Sequence, residues 1–212
     1  MRARSLTSHR SNTKNTMLKV TLSYDADLEN PSENDGWTLY SFCRRHANFK
    51  DPEELGMGEL DAGGMPKLFG AEGRKLKRKL ENGLAHYLSY FQHGSCWWGR
   101  KDGAIPVGVE FRWDGVRIAG VLVWEHKASE LGGKTFGERA KDAECFLKTY
   151  TAWANGEGFG YSIEDDHGNH FDSCYGFFDA DSMFDQIRPH LDGQEYEVEG
   201  EARWLAEHHL SE

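Results

Sequence analysis

Nowhere in the 212 residues does an apolar run approach the roughly 20 residues that a bilayer-spanning helix requires. The longest, residues 118–124, has the length of a strand and is interrupted by Gly120, so a spanning helix is excluded. The first sixteen residues carry Arg2, Arg4, Arg10 and Lys14 but no apolar stretch of the kind a secretory signal needs. They read as a disordered extension or an upstream start ahead of Met17, with a basic arm as the alternative. The four cysteines, Cys43, Cys96, Cys145 and Cys174, lie far apart with no CxxC pair. Reduced, buried thiols are therefore expected, and a zinc knuckle or ribbon is not. GxSxG, Walker A and a GxGxxG opening a helix are all missing, and the glycines of residues 56–70 lack the lysine and Ser/Thr of a phosphate loop. Internal repeats and Pro/Ser-rich linkers are absent too, which points to a single domain over residues 17–212.

What the chain does have is rings and an uneven charge. Seven Trp, eight Tyr and twelve Phe supply large buried areas and predict an aromatic core. The formal charge is −10. Residues 157–212 hold fifteen acids against Arg188 and Arg203, a net −13, whereas residues 17–156 sit near neutrality at −1. An acidic surface serves solubility. It also repels a phosphate backbone, so direct nucleic-acid binding through this segment is disfavoured. The basic run Arg74, Lys75, Lys77, Arg78 and Lys79 reads as a solvated helix face.

Periodicity supplies the elements. Leu18, Val20, Leu22 and Tyr24 alternate with polar residues as in a half-buried strand, and residues 37–42 form a second. Asp51-Pro52-Glu53-Glu54 is a helix start. After an irregular glycine-rich stretch, Leu76, Leu80, Leu84, Tyr87, Leu88 and Phe91 follow helical spacing and predict one helix reaching Gly94. Residues 107–113 and 116–124 flank Asp114-Gly115 as a hairpin. Thr135 and Glu138 make a capping box for a second long helix ending at Gly156. A second hairpin joins residues 158–164 to 170–178, and a short helix over 181–191 precedes an acidic end. The short turns require antiparallel pairing, so the expected class is α+β: hairpins packed with two longer amphipathic helices.

Two blocks carry a family likeness. The run Tyr24-Asp25-Ala26-Asp27-Leu28-Glu29-Asn30-Pro31-Ser32-Glu33-Asn34-Asp35 with Phe42-Cys43-Arg44-Arg45-His46 is one. Gly160-Tyr161-Ser162-Ile163-Glu164-Asp165-Asp166 leading to Asp172-Ser173-Cys174-Tyr175-Gly176-Phe177 is the other. Together they resemble a group of uncharacterised small proteins of phages, prophages and mobile elements. The resemblance covers about a quarter of the chain. It implies an accessory role in the host cytoplasm, exerted by binding, and it implies no catalytic assignment.

The leading expectation is a non-enzymatic protein that presents an acidic face to a basic host protein, in the manner of a DNA mimic directed at a defence or nucleic-acid-processing factor. Glu164, Asp165, Asp166, Asp172, Glu195, Glu197, Glu199 and Glu201 are the residues for that face. The alternative is a divalent-metal-dependent enzyme or metal-stabilised module. Asp25, Asp27, Glu29, Glu33 and Asp35 crowd carboxylates of the kind that Ca²⁺ or Mg²⁺ prefers, though they also read as an acidic turn, and the spacing is not that of an EF-hand. His167 and His170 among aspartates are the best transition-metal candidates, at hairpin-turn spacing. His46 beside Arg44 and Arg45 could hold an anion. A Cys43/His46 dyad is geometrically awkward on a strand. Trp97, Trp98, Trp113 and Trp124 suit stacking or, with fewer assumptions, packing. Pairing of edge strands between copies would make a homo-oligomer.

Overall fold

A computed structural model describes residues 17–33, 36–107 and 114–210. In chain order its strands and helices are β1 (Leu18–Tyr24), β2 (Trp37–Ser41), β3 (Met57–Leu60), β4 (Pro66–Leu68), α1 (Gly70–Glu81), β5 (Ala85–His93), β6 (Ser95–Arg100), β7 (Gly115–Trp124), α2 (Phe136–Ala154), β8 (Phe159–Asp165), β9 (His170–Phe177), α3 (Ala180–Leu191), β10 (Tyr196–Glu199) and α4 (Ala206–His209). The class is α+β with mainly antiparallel sheets. None of the described helices is long and apolar enough to cross a membrane. The extension over residues 1–16, Asp35, Trp113 and nearly all of the first arm of the 107–124 hairpin lie outside the described residues.

Contacts divide the chain into two compact units. The discontinuous unit combines the chain up to Asp25 with everything from Gly158. Its four-stranded sheet has the order β10-β1-β8-β9. Leu18, Val20 and Leu22 of β1 and Phe159, Tyr161 and Ile163 of β8 point to one face, where Met183, Phe184, Ile187 and Leu191 of α3 cover them. Asp179 caps α3, its carboxylate accepting from the Ser182 amide at 2.7 Å. β10 lies parallel to β1, pairing Leu18 with Tyr196 and Thr21 with Glu199. This strand was hidden inside the acidic end of the sequence, whose alternating glutamates mark one solvated face.

The central unit, Ala26–Glu157, is built on the antiparallel sheet β2-β7-β5-β6. The second half of β7, residues 119–124, is buried on both faces. Leu122 and Trp124 join Trp37, Leu39 and the α2 residues Ala143, Phe146, Leu147 and Tyr150 on one side. Val121 and Val123 join Met57, Leu76 and Ala85 on the other. The expected aromatic core is this first cluster. Gly120 sits where β2 crosses closely, since a Cβ there would lie 2.4 Å from the Tyr40 carbonyl oxygen. At α2 the Thr135/Glu138 capping box is formed as its sequence implied.

Two local expectations change. The helix thought to reach Gly94 stops at Glu81, because Asn82 and a left-handed Gly83 (φ 68°) turn the chain into β5. A strand with neighbours on both faces needs no strict alternation, so its apolar residues can mimic helical spacing. The glycine-rich stretch, irregular by its sequence, contains the β3/β4 hairpin. All four cysteines are free as expected, but none is buried: Cys43 and Cys145 are exposed, and Cys96 and Cys174 are half-buried.

β6 is an edge strand whose outer backbone is satisfied by α2. The Asn155 side chain accepts from the Cys96 amide at 2.7 Å and donates to the Cys96 carbonyl at 3.0 Å. The Trp98 amide donates to Thr151 Oγ1 at 3.1 Å. Two side chains thus close an edge that would otherwise be open to pairing with another chain.

Among the described residues of this unit, one buried side-chain polar atom is left over. His86, on β5 and 4 % exposed, lies against the rings of Trp37 and Phe136, and its Nε2 has no hydrogen-bond partner. Burial, reinforced by the nearby Arg100 guanidinium and opposed by Asp102, pulls its pKa down to about 4. A histidine that is harder to protonate when folded contributes stability above the unfolded pKa of about 6.5 and loses it as pH falls toward the folded value. Between about pH 6.5 and 4 this group should cost roughly 3 kcal/mol. Denaturant unfolding of His86→Phe should therefore show a shallower acid loss than the wild type over that window, with parallel curves refuting the assignment. Leu122→Ala, at a fully buried site between β2 and β5, should destabilise the protein by about 2–5 kcal/mol in the same measurement.

Candidate functional site

The acids expected to form one face have several different fates. Registers place Glu197, Lys19 and Glu164 in one row across β10, β1 and β8, and Glu199, Thr21 and Ser162 in the next. Paired residues share a side, so Glu164, Glu197 and Glu199 emerge together on the sheet face opposite α3. Lys19 stands in their midst. Its ammonium lies 2.8 Å from Glu199 Oε1, and Thr21 Oγ1 donates to the same oxygen at 3.2 Å. The Lys19 bond, followed by Thr21, holds the Glu199 carboxyl below its ordinary pKa, while Glu199 first and then Glu197 and Glu164 raise that of Lys19. Glu195 and Glu201 flank β10 and are exposed.

Asp165 and Asp172 turn inward to structural tasks. Asp165, 9 % exposed, organises the β8/β9 turn: Oδ1 accepts from the amides of His167 (2.9 Å) and Asn169 (2.8 Å), and Oδ2 from the Asn169 side chain (2.7 Å). Those bonds, the Asn169 side chain foremost, lower its pKa. Asp172 accepts from the Tyr161 hydroxyl at 2.6 Å, which lowers its pKa, and lies 3.1 Å from His190 Nε2. Tyr161 is raised in turn, by burial first and then by that carboxylate. Asp166 remains at the tip of the turn, 3.7 Å from His167 Nε2.

The described candidate metal ligands are spread along the chain. His167 is in the turn and His170 opens β9 opposite Glu164. Asp25 closes β1's end of the discontinuous unit, whereas Asp27 and Glu29 belong to the central unit. Among the described residues no group of three or more His, Cys, Asp or Glu side chains could hold a metal ion. The basic run on α1 is largely paired locally: Lys75 with Glu72, Lys77 with Glu81, and Lys79 with Glu125 and the Trp124 carbonyl. Trp98 and Trp124 are core residues, 4 % and 8 % exposed.

A second candidate lies within the central unit. A cleft of about 920 Å³ is lined by the 43–47 turn, by Tyr90 of β5, by Cys96 and Trp98 of β6 and by the last turn of α2 with Trp153 and Asn155. His46 is held there by Ser41, whose Oγ is 2.7 Å from Nδ1. The thiol of Cys43 is not that partner. Ser41 is wholly buried and its Oγ also accepts from the Cys43 amide at 3.1 Å. Among the described residues His46 Nδ1 is the acceptor within reach of the buried Ser41 hydroxyl hydrogen, and with the hydroxyl donating the imidazole proton sits on Nε2. The His46 ring sits between Tyr90 (5.0 Å) and Trp98 (5.5 Å), and burial lowers its pKa, so the ring is a neutral donor near pH 7. Burial also raises Tyr90 to about 12. Sequence reading picked out His46, Arg45 and Trp98 separately. Their meeting depends on β6, whose Trp97-Trp98 pair was the one signal that a strand was there.

No protein-family model, curated protein or solved structure matches this chain.

Proposed function

We propose that this protein acts by binding, as a phage-type accessory protein of the host cytoplasm whose acidic sheet face engages a basic host protein such as a defence or nucleic-acid-processing factor. The observation that carries this reading is the convergence of Glu164, Glu197 and Glu199 on the open face of the β10-β1-β8-β9 sheet, with Glu195 and Glu201 at the ends of its edge strand. Glu197 and Glu199 are about 7 Å apart along β10 and Glu164 lies about 10 Å away, two strands across, spacings at which a basic surface can meet several of them at once. Their collective field would also speed encounter with a positively charged partner. Lys19 is consistent with this role. By holding Glu199 it limits repulsion within the face, and the surplus stays negative.

Glu199 has a structural bond to keep, so the test leaves it in place. The quadruple variant Glu164→Gln, Glu195→Gln, Glu197→Gln and Glu201→Gln should melt close to the wild type. Immobilised wild-type protein exposed to a bacterial lysate should retain a basic protein that elutes with salt, and the variant should lose it, with a flatter salt dependence of affinity. Equal retention and equal salt dependence on both would overturn the electrostatic mechanism.

A further inference from the structure

We propose that the cleft beside His46 is a binding site for a free nucleotide, a flat heterocycle joined to an anionic group. Three sets of groups converge there. The rings come first. Trp98 and Tyr150 are packed into the core, their centroids 6.3 Å apart, and form the floor. Tyr90 and Trp153 are only half buried, so each keeps ring surface exposed, and both line the cleft. Tyr90 is fixed against Trp98 at 4.5 Å and its hydroxyl donates to Gln92 at 2.7 Å; Trp153 donates from Nε1 to the Leu28 carbonyl at 3.1 Å. Rigid, half-covered rings offer a stacking surface at small entropic cost.

The second set is cationic or donating. Arg45 stands exposed on the rim, always charged, with a donor fork suited to phosphate. His46 adds a neutral Nε2–H, oriented by the buried Ser41 hydroxyl on the far side of the ring. The third is Glu157, which also lines the cleft and whose charge acts on Cys96, at the end of α2. A carboxylate there opposes a bare anion and accepts from an amine edge. Rings, an anion pole and a separate acceptor together describe a base with an exocyclic amine and a phosphate, and about 920 Å³ falls within the range of small-ligand sites. A single exposed guanidinium and a single carboxylate acceptor at the cleft match one phosphate and one base, which selects the free monomer over a polynucleotide.

The cleft shares no residue with the acids used in the proposed partner interaction, so the two can fail separately. Titration calorimetry and tryptophan quenching with AMP, adenosine, inorganic phosphate and a short oligoadenylate would test it. AMP should bind and quench, adenosine should bind about tenfold or more weakly, and phosphate alone should not quench. Arg45→Gln, an exposed substitution, should close most of the gap between AMP and adenosine, and Tyr90→Leu should weaken both. The idea is overturned by the absence of AMP binding at millimolar concentration, by an AMP-to-adenosine ratio unchanged in Arg45→Gln, or by an oligoadenylate that binds more tightly than AMP.

Discussion

The central unit depends on a strand whose second half, residues 119–124, has water on neither face. β7 contributes Leu122 and Trp124 to one cluster and Val121 and Val123 to the other. Its hydrogen bonds tie it to β2 on one edge and β5 on the other. Burial on both sides fixes register strongly, because a one-residue slip would exchange two packed surfaces. The position of β5 then sets β6, and β6 is clasped to α2 by Asn155 and Thr151. The cleft is a by-product of that chain of constraints. Its floor ring, Trp98, is the residue whose amide Thr151 holds.

The discontinuous unit has a simpler logic. One face of a four-stranded sheet is greasy and covered by α3, and the other is polar and open. Several of its acids are consumed in holding this architecture together. Asp165 makes a turn, Asp172 anchors a tyrosine, Asp179 caps a helix and Glu199 binds Lys19 across strands. Net charge is thus an unreliable guide to recognition here: what matters is which carboxylates are still turned to solvent once local bonds are counted.

Much of this was legible in the residues themselves. Alternation marked β1 and the Thr135/Glu138 box marked α2, because each rests on short-range chemistry. What escaped notice was set by distant partners. β5 looked helical because two-sided burial erases a strand's period, and β10 looked like an acidic tail because its pairing residue lies 178 positions away in Thr21. The cleft was hidden for the same reason. Cys43, Arg45 and His46 are near neighbours, but Tyr90, Trp98 and Trp153 reach them only through the sheet and α2. A serine two residues before Cys43, read as an ordinary strand residue, proves to be what orients His46.

β1 and β8 are antiparallel neighbours whose registration runs to Tyr24 and Phe159 and closes with the Asp25 amide donating to Gly158 at 2.8 Å. Where a hairpin would have a few turn residues, this chain carries the whole of Ala26–Glu157. During synthesis, at roughly 5–20 residues per second, β1 leaves the ribosome with no partner strand until β8 follows, and its other neighbour, β10, comes later still. The intervening residues form a contiguous set of elements that can fold in the meantime. An apolar strand held waiting in this way is open to chaperones and to aggregation, and its alternating Lys19, Thr21 and Ser23 keep one side of it wettable through the interval.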